Sequence, residues 1–166
     1  MSSPDAVSAP VQAPAPRDAS ARLADTRAML ATPAVDVWVA TASATGAPHL
    51  VPLSLAWVDG RAVVAVERTS LTARNLITTG RARLGVGPTR DVVLLDAHLD
   101  RTVPVADDVA LGEAYAQQAD WDPRSSPGHL FLVLRPVRVQ AWREANEITG
   151  RTLMRDGRWL DEKETR

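Results

Sequence analysis

The stretch HLVPLSLAWVDGRAVVAV, residues 49–66, decides the fold of this chain. Residues 49–57 alternate with the period of two that puts one set of side chains on each face of a strand. VDG (58–60) predicts a tight hairpin turn, and the β-branched run 61–66 predicts the next strand. Since Pro52 cannot donate a hydrogen bond to a neighbouring strand, this strand is expected at a sheet edge or a bulge.

The segment that follows, ERTSLTARNLITTG (67–80), predicts a short helix. Ser70 is a suitable N-cap and Gly80 a suitable C-cap. Apolar or small residues recur at the helical spacing i, i+3, i+4 and i+7, which predicts a buried stripe. Its members are Ala73, Leu76, Ile77 and Gly80.

The first turn of this helix is unusual because it contains no acid, although helix N-termini favour carboxylates. It carries hydroxyls at Thr69, Ser70 and Thr72, followed by Arg74. Hydroxyls, free amide groups and a guanidinium that folds back over the turn suit one phosphate group. An ordinary N-cap followed by a surface arginine explains the same residues, so this segment alone leaves both interpretations open.

The rest of the chain repeats the strand pattern more often than the helix pattern. Long strands, few short helices and hairpin connections indicate a mainly β, α+β domain, built as a small closed or partly closed antiparallel barrel and not as a doubly wound parallel sheet. Further strands are predicted at 35–42, 81–87, 91–105 and 129–143, with a bend at Pro136, helices at 21–30 and 107–119, and a small hairpin or turn around Asp156-Gly157.

Length and composition set the remaining bounds. The 166 residues predict one domain over 20–166, preceded by a disordered Ala/Pro-rich tail over 1–19. A net charge of −1 gives no general attraction to nucleic acid or to an anionic membrane. Cysteine is absent, no apolar run is long enough to span a bilayer, and the N-terminus does not resemble a secretory signal. A cytoplasmic protein is therefore expected.

Most familiar catalytic and binding patterns are missing from the sequence. The three histidines, His49, His98 and His129, have no metal-ligand spacing, so no metal site is predicted. There is no serine-nucleophile motif and no Walker-type loop. Aromatic residues are too few and too scattered for a nucleic-acid surface. No catalytic residue can be named from these patterns.

The ordered combination APHLVPLSLAW, hairpin, RAVVAV, TSLTARNL and RARLGVG resembles the pyridoxamine 5′-phosphate oxidase-like family of flavin-binding split barrels. That group includes flavin and deazaflavin oxidoreductases, and the resemblance covers roughly residues 33 to 160. It implies a six-stranded antiparallel split barrel with short flanking helices. It also implies a homodimer that binds flavin mononucleotide (FMN) at its interface.

The resemblance also assigns residues to the cofactor. The strand Leu50, Val51, Pro52, Leu53 and Ser54 would lie along the isoalloxazine ring, and the segment from Val66 to Asn75 would hold the phosphate. Within that segment Ser70, Thr72 and Arg74 would bind the phosphate, and Glu67, Arg68 and Thr69 would line the ribityl chain. Trp142, or Arg143 beside it, would approach from the partner subunit.

One position departs from the family pattern. Many relatives place Lys or Arg where this chain has Thr72, so a second cation for the dianionic phosphate is missing, with Arg68 or Arg83 as possible replacements.

The implied function is an FMN-dependent oxidoreductase that transfers a hydride through flavin N5. A small-molecule substrate or a reduced nicotinamide would be its partner. The alternatives are a deazaflavin-dependent reductase, with Arg81, Arg83 and Arg138 around the longer acidic tail, and a non-catalytic flavin-binding or degenerate barrel.

Overall fold

Three α-helices, two short 3-10 helices and nine strands make up the described part of the chain, which is residues 14–160 of a computed structural model. The predicted disordered tail lies outside the described residues for positions 1–13. None of the helices in this part is long and apolar enough to cross a membrane. The α-helices are α1 (Ala19–Leu30), α2 (Leu71–Thr79) and α3 (Val109–Ala119). The strands are β1 (Asp36–Ala42), β2 (Pro48–Ser54), β3 (Ala56–Val58), β4 (Arg61–Glu67), β5 (Arg81–Val86), β6 (Val92–Pro104), β7 (His129–Trp142), β8 (Thr152–Arg155) and β9 (Arg158–Trp159).

The strands form one antiparallel sheet in the order β2-β1-β5-β6-β7-β4-β3, and the small hairpin β8–β9 is attached to β7. β2 lies at one end of this order, which confirms the edge position expected from Pro52. Among the described strands no ladder joins the two ends of the sheet. The fold is therefore a split barrel, mainly β with flanking helices, as predicted, and it is not closed.

The strand predicted over 49–57 is two strands with a corner between them. Leu55 lies at the corner, fully buried, and its N–H donates to the Val35 carbonyl at 3.0 Å. The Tyr115 hydroxyl donates to the Ser54 carbonyl at 3.1 Å, which anchors the corner to α3. β3, which has three residues, thus follows β2 directly after the corner. In the order of hydrogen-bonded strands, β2 lies at one end and β3 at the other. With β3 counted as the continuation of β2, six main strands remain, in agreement with the predicted number.

The long pair β6 and β7 bends as the sequence suggested. Their register shifts between Asp96 and Ala97, opposite Pro136 and Arg138. Proline removes one ladder hydrogen bond, and a bulge at this point lets both strands curve around the core. The predicted bend at Pro136 is confirmed.

Two buried clusters fill the fold. The larger one lies inside the curved sheet and under α1 and α2, and the smaller one lies between the sheet and α3, around Tyr115 and Phe131. The segment before α1 contacts the loop after β7, which lies near the other end of the chain. Arg17 contacts the buried carboxylate of Glu147 through its backbone N–H and its guanidinium, at 2.7–3.0 Å.

Candidate functional site

A cavity of about 630 Å³ lies between the edge strand β2 and the first turn of α2. Its size is typical of small-molecule sites, whose walls are mostly apolar with a few polar groups. One wall comes from β2, a second from the end of β4 and the start of α2, and a third from the far half of the chain. The lining residues are His49, Val51, Pro52, Leu53, Ser54, Ala65, Val66, Glu67, Ser70, Leu71, Thr72, Trp121 and His129.

The helix at this cavity begins and ends where the sequence predicted. The Ser70 hydroxyl accepts from the Ala73 N–H at 3.2 Å, and Gly80 is left-handed with φ 69°. The predicted buried stripe needs one correction, because Ile77 is 55% exposed. The buried face also carries the polar residues Thr72 and Asn75, which an apolar periodicity cannot detect.

These two polar residues join α2 to the hairpin formed by β1 and β2. Thr72 Oγ1 lies 3.2 Å from His49 Nε2, and Asn75 Nδ2 donates to Thr41 Oγ1 at 3.1 Å. Thr41 and His49 are cross-strand partners, so their side chains leave the sheet on the same face. The N-terminal half of α2 is thus held against the β1–β2 hairpin by two neighbouring hydrogen bonds, one to each strand.

The structure brings together eight of the fourteen residues that the resemblance assigned to a cofactor. They come from β2, from the end of β4 and from the start of α2, in the arrangement that the resemblance implies. The eight are Val51, Pro52, Leu53, Ser54, Val66, Glu67, Ser70 and Thr72.

The other six residues do not line this cavity. Leu50 points to the outer face of the sheet and is 58% exposed. The amide of Asn75 is used by Thr41. Trp142 ends β7 and has the Arg151 guanidinium 5.7 Å from its ring centroid. The remaining three, Arg68, Thr69 and Arg74, are exposed beside the turn that precedes α2 or on its surface. Their assignments stay predictions.

The sequence did not point to His49, Ala65, Leu71, Trp121 or His129 as site residues. His49 carried a usable signal, since the alternation of 49–57 places it on the same strand face as Val51 and Leu53. Trp121 and His129 meet edge to face, with ring centroids 5.8 Å apart, and they reach the cavity only through the folding of the second half of the chain. His129 Nδ1 is buried without a hydrogen-bond partner. No local pattern predicts such a meeting.

The polar groups around the cavity are mostly uncharged. Burial raises the pKa of Tyr115, which holds the corner next to Ser54, to about 12, so its hydroxyl remains a donor at neutral pH. Arg83 does not approach the cavity, because it pairs with Asp96 on the sheet, where Arg138 also pairs. No group of three potential metal ligands occurs within residues 14–160.

The sequence matches no protein-family model, and no curated protein matches it. Solved structures nevertheless share its fold. An F420 reductase superposes with a TM-score of 0.57 at 16% identity, over 68% of this chain and 94% of the other. A heme binding protein from Mycobacterium smegmatis gives 0.60 at 21% identity, over 89% and 60%. General Stress Protein 26 from Bacillus anthracis gives 0.56 at 14% identity, over 70% and 89%. At these identities the likeness shows the split-barrel fold.

Proposed function

We propose that this chain binds FMN in the cavity between β2 and α2 and acts as a flavin-dependent oxidoreductase. The observation that carries the proposal is the cavity itself, which joins an edge strand to a helix start that has no acid of its own. Such a helix terminus attracts an anion through its amide groups and its dipole. An elongated ligand with a phosphate at one end and a flat ring at the other fits both parts.

The donor set at the helix end suits a phosphate. Ser70 and Thr72 supply hydroxyls, and the first N–H groups of a helix have no intrahelical acceptor. At the other end of the cavity Val51 and Leu53 provide apolar contact for a ring. When bound, FMN supplies hydride chemistry at its N5 atom, and the protein's part is to hold, orient and shield the ring. This role requires no nucleophile or acid–base pair from the protein, and the sequence patterns identify neither.

A homodimer is part of the proposal. Trp38 and Leu50 lie on the outer face of β1 and β2 and are 53% and 58% exposed, so large apolar side chains flank the strand that forms the cavity wall. Covering them with a second copy would remove apolar surface from water. A small-molecule substrate or a reduced nicotinamide is the proposed reaction partner. Light scattering at micromolar concentration tests this state directly.

A deazaflavin coenzyme is the alternative cofactor, and its longer acidic tail would need a basic groove. Arg83 and Arg138 do converge, but they converge on Asp96, with Nε–Oδ distances of 2.6 and 2.7 Å. The Asp96 carboxylate already neutralises one of these two positive charges. The arrangement therefore favours the shorter cofactor with a single phosphate.

Haem is a second candidate ligand because His49 and His129 line the same cavity. Imidazole nitrogens are common axial ligands of haem iron. A Soret band in the purified protein, lost in His129→Ala or His49→Ala, would support this ligand in place of FMN.

The deciding experiment begins with the colour of the purified protein and the mass of any released chromophore. The apoprotein is then titrated with FMN, riboflavin and a deazaflavin coenzyme, and turnover is measured with a reduced nicotinamide and an electron acceptor. Tight FMN binding with turnover supports the oxidoreductase, and tight binding without turnover with any donor supports a flavin carrier. Failure to bind FMN would overturn the proposal.

A further inference from the structure

We propose that His49 supplies the second positive charge for the cofactor phosphate, and that it does so only while its imidazole is protonated. The inference rests on the proposed FMN site and adds a pH dependence to it. Its starting point is the contact between His49 Nε2 and Thr72 Oγ1, 3.2 Å long, at the first turn of α2. Both residues line the cavity.

The arginines considered for the phosphate do not line the cavity. Thr72, in the first turn of α2, is uncharged and only 2% exposed. Arg83 is paired with Asp96 away from the cavity, and the exposed Arg68 does not line it. Among the residues that line the cavity, the basic ones are His49 and His129. His49 contacts Thr72 in the first turn of α2, whereas His129 is the ladder partner of Glu67 at the end of β4.

The direction of the hydrogen bond between His49 and Thr72 depends on the proton. In the neutral tautomer with a bare Nε2, the imidazole accepts and the Thr72 hydroxyl hydrogen points at it. In the cation both ring nitrogens are donors, so Nε2–H donates to Thr72 Oγ1. The hydroxyl hydrogen is then free to point at an anion in the cavity. For the tautomer with its proton on Nδ1, protonation therefore adds a charge and releases a donor at the same place, and for the Nε2–H tautomer it adds the charge alone.

The affinity for a phosphate should consequently fall as pH rises. Histidine changes charge between pH 5 and 8, whereas a phosphate monoester completes its second ionisation near pH 6. Above about pH 7 the phosphate is already dianionic, and the loss of the imidazole proton is the remaining change. Two other titratable groups line the cavity, namely the Glu67 carboxylate at the end of β4 and the His129 imidazole at the start of β7. Arg74 on α2 and the neutral Thr41 opposite His49 complete the surroundings.

The test compares FMN with riboflavin, which has the same ring and no phosphate. Dissociation constants are measured by flavin fluorescence from about pH 6.5 to 8.5, a range that covers the upper half of the histidine charge change while the phosphate is mostly dianionic. The variants are His49→Gln, His49→Arg and, as the matched control on the opposite wall, His129→Gln. In the parent protein FMN affinity should fall about tenfold across this range, the size of one charge-assisted hydrogen bond. Riboflavin affinity should stay flat.

His49→Gln should bind FMN about tenfold more weakly at the low end of the range and show no further fall. His49→Arg should keep high affinity throughout, and His129→Gln should keep the slope of the parent. The inference is overturned if His49→Gln retains the slope, if His129→Gln abolishes it, or if riboflavin shows the same slope as FMN.

A second measurement separates this inference from the proposed function. If the protein binds no flavin, inorganic phosphate is titrated while the imidazole proton resonances of His49 and His129 are followed by NMR. A phosphate-dependent shift of the His49 titration to higher pH, absent for His129, supports the charge assignment without FMN. No shift of His49 at saturating phosphate overturns it.

Discussion

Among the carboxylates of residues 14–160, Glu147 is predicted to be the most costly one to neutralise. It lies in the loop after β7, is 2% exposed, and accepts hydrogen bonds from the backbone N–H groups of Arg17 and Arg143, both at 2.8 Å. The Arg17 guanidinium adds two more, from Nε at 3.0 Å and from Nη2 at 2.7 Å. Glu147→Gln keeps the size of the side chain and removes its charge. It also places amide hydrogens against these donors.

The magnitude follows from the shift of its pKa. The hydrogen bonds from Arg17, opposed by burial and supported by the backbone N–H of Arg143, lower the pKa of Glu147 from 4.5 to about 2. That shift corresponds to about 3 kcal/mol of folding free energy at neutral pH. For a domain of this size the variant should melt about 6–12 °C lower.

The sign of the pH dependence follows from the same shift. Because the folded-state pKa is the lower one, the stabilisation is complete above about pH 4.5 and disappears as pH falls toward about 2. The difference between Glu147→Gln and the parent should therefore be largest at neutral pH and shrink below pH 4.5. Urea unfolding at pH 7, 4.5 and 3 measures it.

The matched control is Glu144→Gln, in the same loop. Glu144 pairs with Arg90, whose side chain is largely exposed, so that pair should contribute less than about 1 kcal/mol. If Glu147→Gln loses no more stability than Glu144→Gln at pH 7, or if its deficit persists unchanged at pH 3, the Arg17–Glu147 contact does not stabilise the fold in the way described here.

Four further substitutions test other contacts. Arg74→Ala should weaken FMN binding at least tenfold, from the loss of one charge-assisted bond, and leave apoprotein melting nearly unchanged because Arg74 is exposed; unchanged affinity would remove Arg74 from the phosphate site. Asn75→Ala should cost about 1–3 kcal/mol in urea unfolding, because it leaves the buried Thr41 hydroxyl without its donor; equal stability would show that water replaces the amide. Gly46 and Gly87 share a φ of +87°, but an added methyl group meets open space at Gly46 and collides with neighbouring atoms at Gly87. Gly46→Ala should thus show the backbone strain alone, about 1–2 kcal/mol, and Gly87→Ala should lose clearly more in the same assay.

Much of the sheet could be predicted because its signals are local. The β-branched and aromatic run of β1, the alternation of β5 and the long run of β6 placed those strands within about two residues, and Pro52 restricted β2 to a sheet edge or a bulge. The corner at Leu55 could not be predicted in this way, because the alternation runs straight through it. Its cause is tertiary, since Leu55 is bound by Val35 and Ser54 by Tyr115.

The candidate site shows the same difference between residues with a local sequence signal and residues that only tertiary contacts bring together. Residues of β2 and of the start of α2 could be named because they are consecutive in the sequence. Trp121 and His129 could not, because contacts between distant parts of the chain bring them to the cavity. Ile77 shows the opposite error, since an apolar residue at the right helical spacing proved exposed while Thr72 and Asn75 took the buried positions.

These two buried polar residues bear on whether the cavity exists without a ligand. Thr72 and Asn75 sit on one face of α2, and their partners His49 and Thr41 face each other across β1 and β2. Buried hydrogen bonds are directional, and leaving either pair unmade would strand polar groups away from water. The N-terminal half of α2 is therefore fixed against the β1–β2 hairpin by the fold itself, before any anion binds. A site arranged in this way spends little free energy on ordering when its ligand arrives, so the loss of either pair should weaken binding through the position of the helix end as well as through the missing contact.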